Sequence, residues 1–273
     1  CPFGSASSSL AEGTTKFMKQ KFFFLFDKNK KSQYFKKKIL KKFSNKSPKS
    51  ATHFVVAGGD GFMLSSLKKY YKYNKPFYGV NCGTFGFLMN NLDIINFYSK
   101  INKAKKISIN PLEFKTKSKG KNTKKVIAIN EISLFRQSRQ TASLALKVGK
   151  KIIIKKLVSD GILVSSPAGS TAYNLSVNGP ILSLDSGKLA ITPISPFRPR
   201  RWKGKIISNK STVNIKNLDF KKRPVAAVAD NVEFRNIKNI SIKTNNKIKI
   251  VLLYDSRRSL VERIRKEQIR KGN

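Results

Sequence analysis

The stretch His53-Phe54-Val55-Val56-Ala57-Gly58-Gly59-Asp60-Gly61-Phe62-Met63-Leu64 decides the fold. Its apolar beginning, residues 53–57, is typical of a buried strand, and residues 62–71 restore helical spacing through Met63, Leu64, Leu67 and Tyr71. A glycine turn joins the two elements. A strand that is apolar on both faces must be covered on both sides, so the pattern predicts a parallel sheet with helices.

The same order of strand and helix occurs on either side of this stretch. Residues 21–26 form a short apolar strand, and residues 32–43 place their apolar side chains on one helical face. A third strand, residues 77–80, runs into a glycine-rich segment, residues 81–88. We therefore predict an α/β N-terminal domain with a Rossmann-like parallel sheet over residues 18–110.

After residue 110 the apolar residues follow a period of two. Residues 144–148 and 152–154 alternate around a Gly149-Lys150 turn, which predicts a hairpin, and similar alternation occurs at 213–215, 240–242 and 248–252. The sequence predicts a β-rich domain over residues 111–255, with an exposed loop in the lysine-rich run 115–125.

Both ends of the chain differ from these domains. Residues 1–17 are small, polar and without pattern, and we interpret them as an expression remnant or a disordered extension. Ser259 and Glu262 have the spacing of a capping box ahead of Ile264 and Ile269, which predicts a last helix within residues 256–273.

The formal net charge of +43 raises the possibility of a nucleic-acid partner. The basic residues are spread along the whole chain, however, and no recognised nucleic-acid motif accompanies them, so we expect a solvated basic surface and no specific nucleic acid. No run approaches the roughly 18 apolar residues of a membrane span. We expect a soluble, cytoplasmic protein without a membrane partner.

Thiols and imidazoles are scarce, since Cys1, Cys82 and His53 are the only ones in the chain. A structural zinc site and a Ser/His/Asp triad are therefore not expected, and no metal-ligating residues are assigned. His53 is expected to pack at a strand end and Cys82 to fill space in a turn.

The glycine turn, residues 58–61, is the first candidate site. Backbone N–H groups at the start of a helix bind phosphate well, and glycine allows a close approach. Asp60 would repel phosphate, so it suggests either a metal ligand or a base that accepts a proton from a hydroxyl. The alternative is that Asp-Gly is simply a common turn pair.

Two further segments carry polar groups in apolar surroundings. Residues 160–176 form an apolar strand followed by a turn rich in hydroxyls, where Ser170 or Thr171 could bind a ligand or merely cap a helix. Asn130 and Glu131 interrupt another apolar strand and need partners, of which a ligand is one candidate. These residues together predict a site for a phosphate and a polar ligand.

The order of these motifs resembles the NAD kinase family. The resemblance rests on residues 58–61, 83–88, 130–131, 160–181 and 192–196, and it covers most of residues 20–260. The segments 61–64 and 196–202 are similar to a bacterial branch of the family. Five motifs in order are far more specific than any one of them.

The resemblance implies an α/β domain, a β-rich domain and a last helix that returns to the first domain, with the site in the cleft between domains. It implies that Asp60 is the catalytic base and that the glycine turn cradles phosphates. Asp230 and Asn231 would reach the site from a hairpin turn, expected to be a neighbouring subunit's. The residues assigned to substrate binding are Gly58, Gly59, Asp60, Gly61, Phe87, Asn130, Glu131, Asp160, Ala168, Thr171, Ala172, Tyr173, Asn174, Leu175, Ser176, Asp230 and Asn231.

The implied reaction is phosphorylation of the 2′-hydroxyl of the adenosine ribose of NAD, with ATP as donor and a divalent cation, Mg²⁺, as cofactor. A homodimer or homotetramer is expected. Phe62 stands where many members of the family have a small hydroxyl residue, and Asn231 stands where some have His. These departures bear on which phosphate donors are accepted and on how the nicotinamide end is held. A lipid kinase of the diacylglycerol or sphingosine type shares the GGDG turn but is not known for the segment 169–173. A basic nucleic-acid-binding protein without catalysis is the other alternative.

Overall fold

The computed structural model describes residues 20–84, 86–118 and 121–255. The predicted extension over residues 1–17 and the predicted last helix over residues 256–273 lie outside the described residues. The strands are, in chain order, β1 (Phe22–Phe26), β2 (His53–Gly58), β3 (Phe77–Asn81), β4 (Asn90–Asn91), β5 (Lys105–Ile109), β6 (Leu112–Ser118), β7 (Lys121–Ala128), β8 (Glu131–Arg136), β9 (Ala142–Val148), β10 (Lys151–Ser159), β11 (Gly161–Ser165), β12 (Lys188–Ile194), β13 (Lys205–Ser208), β14 (Val213–Asn217), β15 (Val225–Ala229), β16 (Val232–Phe234), β17 (Asn239–Thr244) and β18 (Ile250–Tyr254). The helices are α1 (Lys30–Ile39), α2 (Asp60–Tyr70), α3 (Phe97–Lys103) and α4 (Tyr173–Ser176), with 3₁₀ turns at Tyr71–Tyr73 and Ala168–Thr171.

The first sheet has the order β1-β2-β3-β18-β5, and the short β4 also pairs with β3. All neighbours are parallel except β18 and β5. The predicted Rossmann-like parallel sheet is confirmed, with one antiparallel strand at its edge. Strand β18 lies within the range predicted for the second domain, yet it pairs with β3, so the chain returns to the first sheet by residue 250.

Helices cover both faces of this sheet. Phe35 of α1 and Phe97 of α3 pack in one apolar cluster with the sheet, and Met63 of α2 packs in the cluster on the other face. That second cluster also contains Ile129 and Ala168, which belong to the second domain. The second domain is thus packed directly beside α2, which begins at the glycine turn.

The second domain consists of two antiparallel sheets with the orders β10-β9-β14-β17-β6-β7 and β13-β12-β11-β8-β15-β16. Their inner faces share a single core, in which Leu134, Leu144 and Ile242 are completely buried or nearly so. The predicted hairpin around Gly149 is confirmed as β9 and β10. This half of the chain is therefore β-rich, as the alternation of apolar and polar residues predicted.

In the lysine-rich run 115–125, residues 115–118 belong to β6 and residues 121–125 to β7, so these residues are strands where the sequence suggested a loop. Strands β6 and β7 pair across it, and β7 is the edge strand of its sheet. Lysine is common on edge strands because charge discourages pairing with another chain. High lysine content therefore concealed a strand.

Candidate active site

The glycine turn joins β2 to α2, as predicted. Gly59 is the N-cap of α2 and has no side-chain cap, and Asp60 is the first helical residue. A Cβ atom placed on Gly59 or Gly61 would meet no atom within 4 Å, whereas one on Gly58 would lie 2.7 Å from the ring of Phe62. The first N–H groups of a helix have no partner within the helix. Open space above them is therefore accessible to a phosphate.

Asp60 is held by the segment that follows β3. Strands β2 and β3 are parallel neighbours, so their carboxyl ends meet, and Gly58 lies opposite Asn81. The backbone N–H of Phe87 donates to Asp60 Oδ2 at 2.8 Å, and that of Leu88 donates to Oδ1 at 3.0 Å. The glycine turn and the segment that contains Phe87 and Leu88 thus meet at the Asp60 carboxylate. Phe87 contributes its backbone N–H to this contact.

Asn130 lies in the turn between β7 and β8 and Glu131 is the first residue of β8, so the expectation that they interrupt a single strand was wrong. The hydroxyl of Ser166 donates to the carbonyl of Ile129 at 2.6 Å, and the Ser166 N–H donates to the carbonyl of Asn130 at 2.9 Å. Gly169 is so close that an added Cβ would lie 2.3 Å from the Asn130 carbonyl oxygen. The turn and the segment after β11 are therefore packed backbone against backbone.

Two buried oxygens of this turn have no hydrogen-bond partner among the described residues, namely Oδ1 of Asn130 and Oε2 of Glu131. Glu131 is only 9% exposed. Burial, and then the charge of Asp230, raises the pKa of Glu131 to about 7, while the charge of Lys68 acts in the opposite direction. Buried polar atoms without partners are uncommon in proteins, and a ligand hydroxyl is a suitable donor for them.

Asp230 and Asn231 form the tight turn between β15 and β16. Asp230, whose φ is 52°, accepts the backbone N–H groups of Ile129 and Asn130 at 2.9 and 2.8 Å. Lys68 of α2 forms an ion pair with Asp230 at 2.8 Å. The resemblance implied that this turn comes from a neighbouring subunit, but the turn contacts the site of its own chain, because β15 pairs with β8 and brings it there.

A pocket of about 530 Å³ lies between α2 and these two turns. This volume falls within the range of about 300–1,000 Å³ that is usual for ligand pockets. The residues that line it are Gly61, Leu64, Ser65, Lys68, Lys69, Asn130, Glu131, Asp230 and Asn231. One side of the pocket is thus the helix of the glycine turn, and the other belongs to the second domain.

The segment after β11 is a 3₁₀ turn followed by the short helix α4, as the sequence suggested. In this segment Ala168 and Thr171 are buried, whereas Ser176 is exposed. Tyr173 stacks at an angle against Phe135, with 5.8 Å between ring centroids. Burial, then the charges of Asp160 and Glu131, raises the pKa of Tyr173. Ala172 and Leu175 are half-buried in the same segment.

Asn174 was assigned to substrate binding, but its amide is used within the chain. Its Nδ2 donates to the carbonyls of Ser170 and Pro180 at 3.2 and 2.9 Å, and its Oδ1 accepts from Thr192 at 2.7 Å. Asn174 is completely buried. Its side chain therefore fixes the turn and has no amide proton left for a ligand.

Asp160 does not join the pocket of its own chain. It lies between β10 and β11, beside Arg136 at the far end of β8, and forms an ion pair with Arg136 at 2.6 Å. Glu131 and Arg136 are separated by five strand residues, which corresponds to about 17 Å. The Asp160 side chain is 37% exposed.

Sequence reasoning missed Lys68, Ser166 and Gly169. Lys68 is one of 57 basic residues, so its type carried no signal, although its place two helical turns after Asp60 could have indicated the same side of α2. Ser166 and Gly169 lie inside the segment 160–176, in which other residues were assigned to substrate binding. Their contacts with Ile129 and Asn130 depend on tertiary packing.

None of the helices in the described part of the chain is long and apolar enough to cross a membrane.

Comparison with known proteins agrees with this architecture. Residues 9–106 match the family model of the ATP-NAD kinase N-terminal domain, and residues 129–252 match that of the ATP-NAD kinase C-terminal domain. The chain is 45% identical to the NAD kinase of Zymomonas mobilis over 85% of this chain and 91% of the relative. It is 42% identical to the NAD kinase of Rickettsia bellii over 89% of this chain and 96% of the relative.

Two solved structures share the fold. The crystal structure of an Archaeoglobus fulgidus NAD kinase in complex with ATP has a TM-score of 0.70 at 21% identity, and 90% of this chain and 98% of that chain are covered. Yeast NADH kinase complexed with NADH has a TM-score of 0.70 at 23% identity, covering 82% of this chain and 67% of that chain. With both family models matched and relatives above 40% identity, the chain belongs to the NAD kinase family of phosphotransferases.

Proposed function

We propose that this NAD kinase transfers the terminal phosphoryl group of ATP to the 2′-hydroxyl of the adenosine ribose of NAD, forming NADP. The observation that carries the proposal is the pocket in which an open glycine turn at the start of α2 faces two buried oxygens without partners, Asn130 Oδ1 and Glu131 Oε2. The first surface suits phosphate and the second suits ribose hydroxyls.

In this proposal the second domain holds NAD. Asn130 and Glu131 accept hydrogen bonds from hydroxyl groups of the dinucleotide, and the charge of Lys69 attracts its phosphates. Phe87, Ala168, Thr171, Ala172, Tyr173, Leu175 and Ser176 keep the binding roles that the resemblance assigns to them. Asn174 acts indirectly, since its amide is engaged within the chain.

Asp60 is proposed as the base. The attacking hydroxyl oxygen forms a bond to the γ-phosphorus as the bond from that phosphorus to the β-γ bridging oxygen breaks, and the hydroxyl proton passes to Asp60. Each carboxylate oxygen has two lone pairs, so the hydrogen bonds from Phe87 and Leu88 leave acceptor capacity. Those bonds also fix the direction of the carboxylate, which in-line transfer requires.

A divalent cation such as Mg²⁺ fits this set of residues. Mg²⁺ usually binds through one or two carboxylates together with substrate phosphates and water. Among the described residues no three acidic, histidine or cysteine side chains form a metal cage, so the triphosphate and water would supply most of the ligands of the cation beside the glycine turn, and Asp60 keeps the role of base. When bound, the cation would neutralise charge on the triphosphate.

A homo-oligomer is also proposed, and the position of Asp160 supports it. About 17 Å of strand separates Asp160 from Glu131 in one chain, so we infer that Asp160 fills its assigned role in NAD binding at a neighbouring copy's site. Co-expression of Asp60→Asn and Asp160→Asn chains with different tags tests this. Mixed oligomers should recover NADP formation because one of their sites keeps both carboxylates, and mixed oligomers as inactive as Asp60→Asn alone would contradict it.

We propose a cytoplasmic location, which the free, buried thiol of Cys82 suits because thiols stay reduced there.

The reaction itself is tested with purified protein, NAD, Mg²⁺ and either ATP or polyphosphate, followed by an NADP-specific dehydrogenase. NADP formation that depends on both NAD and a donor is expected. Parallel reactions contain a diacylglycerol, sphingosine or duplex DNA in place of NAD. Phosphorylation of a lipid, or tight DNA binding at physiological salt without NADP formation, would overturn the proposal.

A further inference from the structure

Lys68 joins the two domains at one point of the pocket. It lies on α2, two turns after Asp60, and its ammonium contacts three acceptors of the β15–β16 turn. These are Asp230 Oδ2 at 2.8 Å, Asn231 Oδ1 at 3.2 Å and the carbonyl oxygen of Ala229 at 3.5 Å. An ammonium has three donors, so the contacts match its capacity.

The partner of Lys68 is the carboxylate that shapes the binding turn. Asp230 is 5% exposed and uses both oxygens to accept the backbone N–H groups of Ile129 and Asn130. Its own N–H donates to the carbonyl of Glu131 at 3.1 Å. The direction in which Asn130 and Glu131 present their side chains therefore depends on Asp230, and the place of Asp230 depends on Lys68.

We propose that Lys68 is a positioning residue for nucleotide binding, which holds the Asp230 turn against Asn130 and Glu131 and thereby keeps both side chains aimed into the pocket. This inference rests on the proposed function of the pocket. It assigns Lys68 no contact with the reacting atoms, so its loss should affect binding of NAD more than the chemical step.

The same contacts give Lys68 a second effect on Glu131, through its charge. The ionisable groups that face Glu131 are Asp230 from the β15–β16 turn, Lys68 and Lys69 from α2, and Tyr173 from α4. Lys68 lowers the pKa of Glu131, whereas burial and Asp230 raise it. Without Lys68, two buried carboxylates would face each other without this cation, and Glu131 would hold its proton to a higher pH.

The test compares Lys68→Met, Lys68→Gln and Lys68→Arg with the matched control Lys72→Met, whose side chain is exposed on the 3₁₀ turn after α2. Lys68→Met should raise the KM for NAD about tenfold, as expected for one lost charge-assisted contact, and change kcat less than about twofold. The acid limb of kcat/KM against pH should move to higher pH. Arg should restore most of the binding because it keeps the charge.

A second measurement does not need turnover. Hydrogen exchange of the Ile129 and Asn130 amides should be faster in Lys68→Met and Lys68→Gln than in the wild type, and unchanged in Lys72→Met. Unchanged exchange, or an acid limb that stays in place, overturns the proposal. If the wild type forms no NADP, the proposed function fails, while the exchange of these two amides still decides whether Lys68 holds the turn.

Discussion

The two carboxylates of the site, one from each domain, differ in what surrounds them. Asp60 is half-buried and accepts two backbone N–H groups, whereas Glu131 is buried with Oε2 lacking any partner among the described residues. A carboxylate that is already fixed can act on a reacting group with a defined direction. One that lacks partners gains most when a ligand arrives. The difference suggests that the first domain carries the chemistry and the second selects the nucleotide.

Removing the charge of Asp60 should have the largest effect. Asp60→Asn should lower kcat by at least about a hundredfold, because the base is lost while an amide of the same size remains. NAD binding, measured by calorimetry, should stay within a few-fold of the wild type. Asp93→Asn, a change at a surface carboxylate beside α3, is the control. Near-normal turnover of a folded Asp60→Asn enzyme would remove Asp60 from the role of base.

Glu131→Gln should affect binding instead. The KM for NAD should rise about tenfold, since an amide oxygen accepts a hydrogen bond more weakly than a carboxylate does. In the wild type, the pKa of Glu131 near 7 means that the carboxylate is lost as the pH falls, so kcat/KM for NAD should decline below pH 7. Glu131→Gln should lack this limb. Glu233→Gln, at an exposed ion pair, should retain it.

Substitutions of Gly169 and Gly59 should differ in their effect on the free energy of unfolding. In Gly169→Ala the new methyl group would overlap the Asn130 carbonyl, which should cost about 1–3 kcal/mol in the free energy of unfolding. Gly59→Ala meets no atom within 4 Å and should cost less than about 1 kcal/mol, yet lower the rate of NADP formation because the methyl occupies the phosphate approach. Denaturant titrations compare the two. Equal stabilities would contradict the close packing of Gly169.

Another prediction concerns the pH dependence of stability. Because the folded protein raises the pKa of Glu131 from 4.5 to about 7, the folded state holds a proton that the unfolded state releases between those values. Stability is therefore lost as the pH rises through this window, and the penalty is complete above it. Glu131→Gln should melt at a higher temperature than the wild type at pH 8, and the difference should shrink towards pH 4.5. A constant difference would argue against the buried charge.

Periodicity was sufficient for elements in which the pattern of apolar residues is regular. The apolar run before Gly58 predicted β2 because both faces of that strand are covered, and the alternation around Gly149 predicted the β9–β10 hairpin. Periodicity could not assign β18 to the first sheet, since its pattern matches that of the second domain. It also missed β6 and β7, where lysines on an edge strand have the composition of a loop.

The site shows the same division. A carboxylate among glycines at the start of a helix indicated Asp60. Polar residues in an apolar segment indicated Asn130 and Glu131, because a buried polar group is costly without a partner. Residue type could not show that Asn174 is used internally or that Asp160 lies at the far end of β8. These outcomes depend on distances between segments that are remote in the chain.

The division between the two carboxylates is tested most directly by single-turnover formation of NADP at saturating NAD and ATP. Glu131→Gln should reach a rate within a few-fold of the wild type once NAD is saturating, whereas Asp60→Asn should stay at least about a hundredfold slower at any NAD concentration. The reverse result, with Asp60→Asn restored by saturation and Glu131→Gln slow, would contradict this division and assign the chemistry to Glu131.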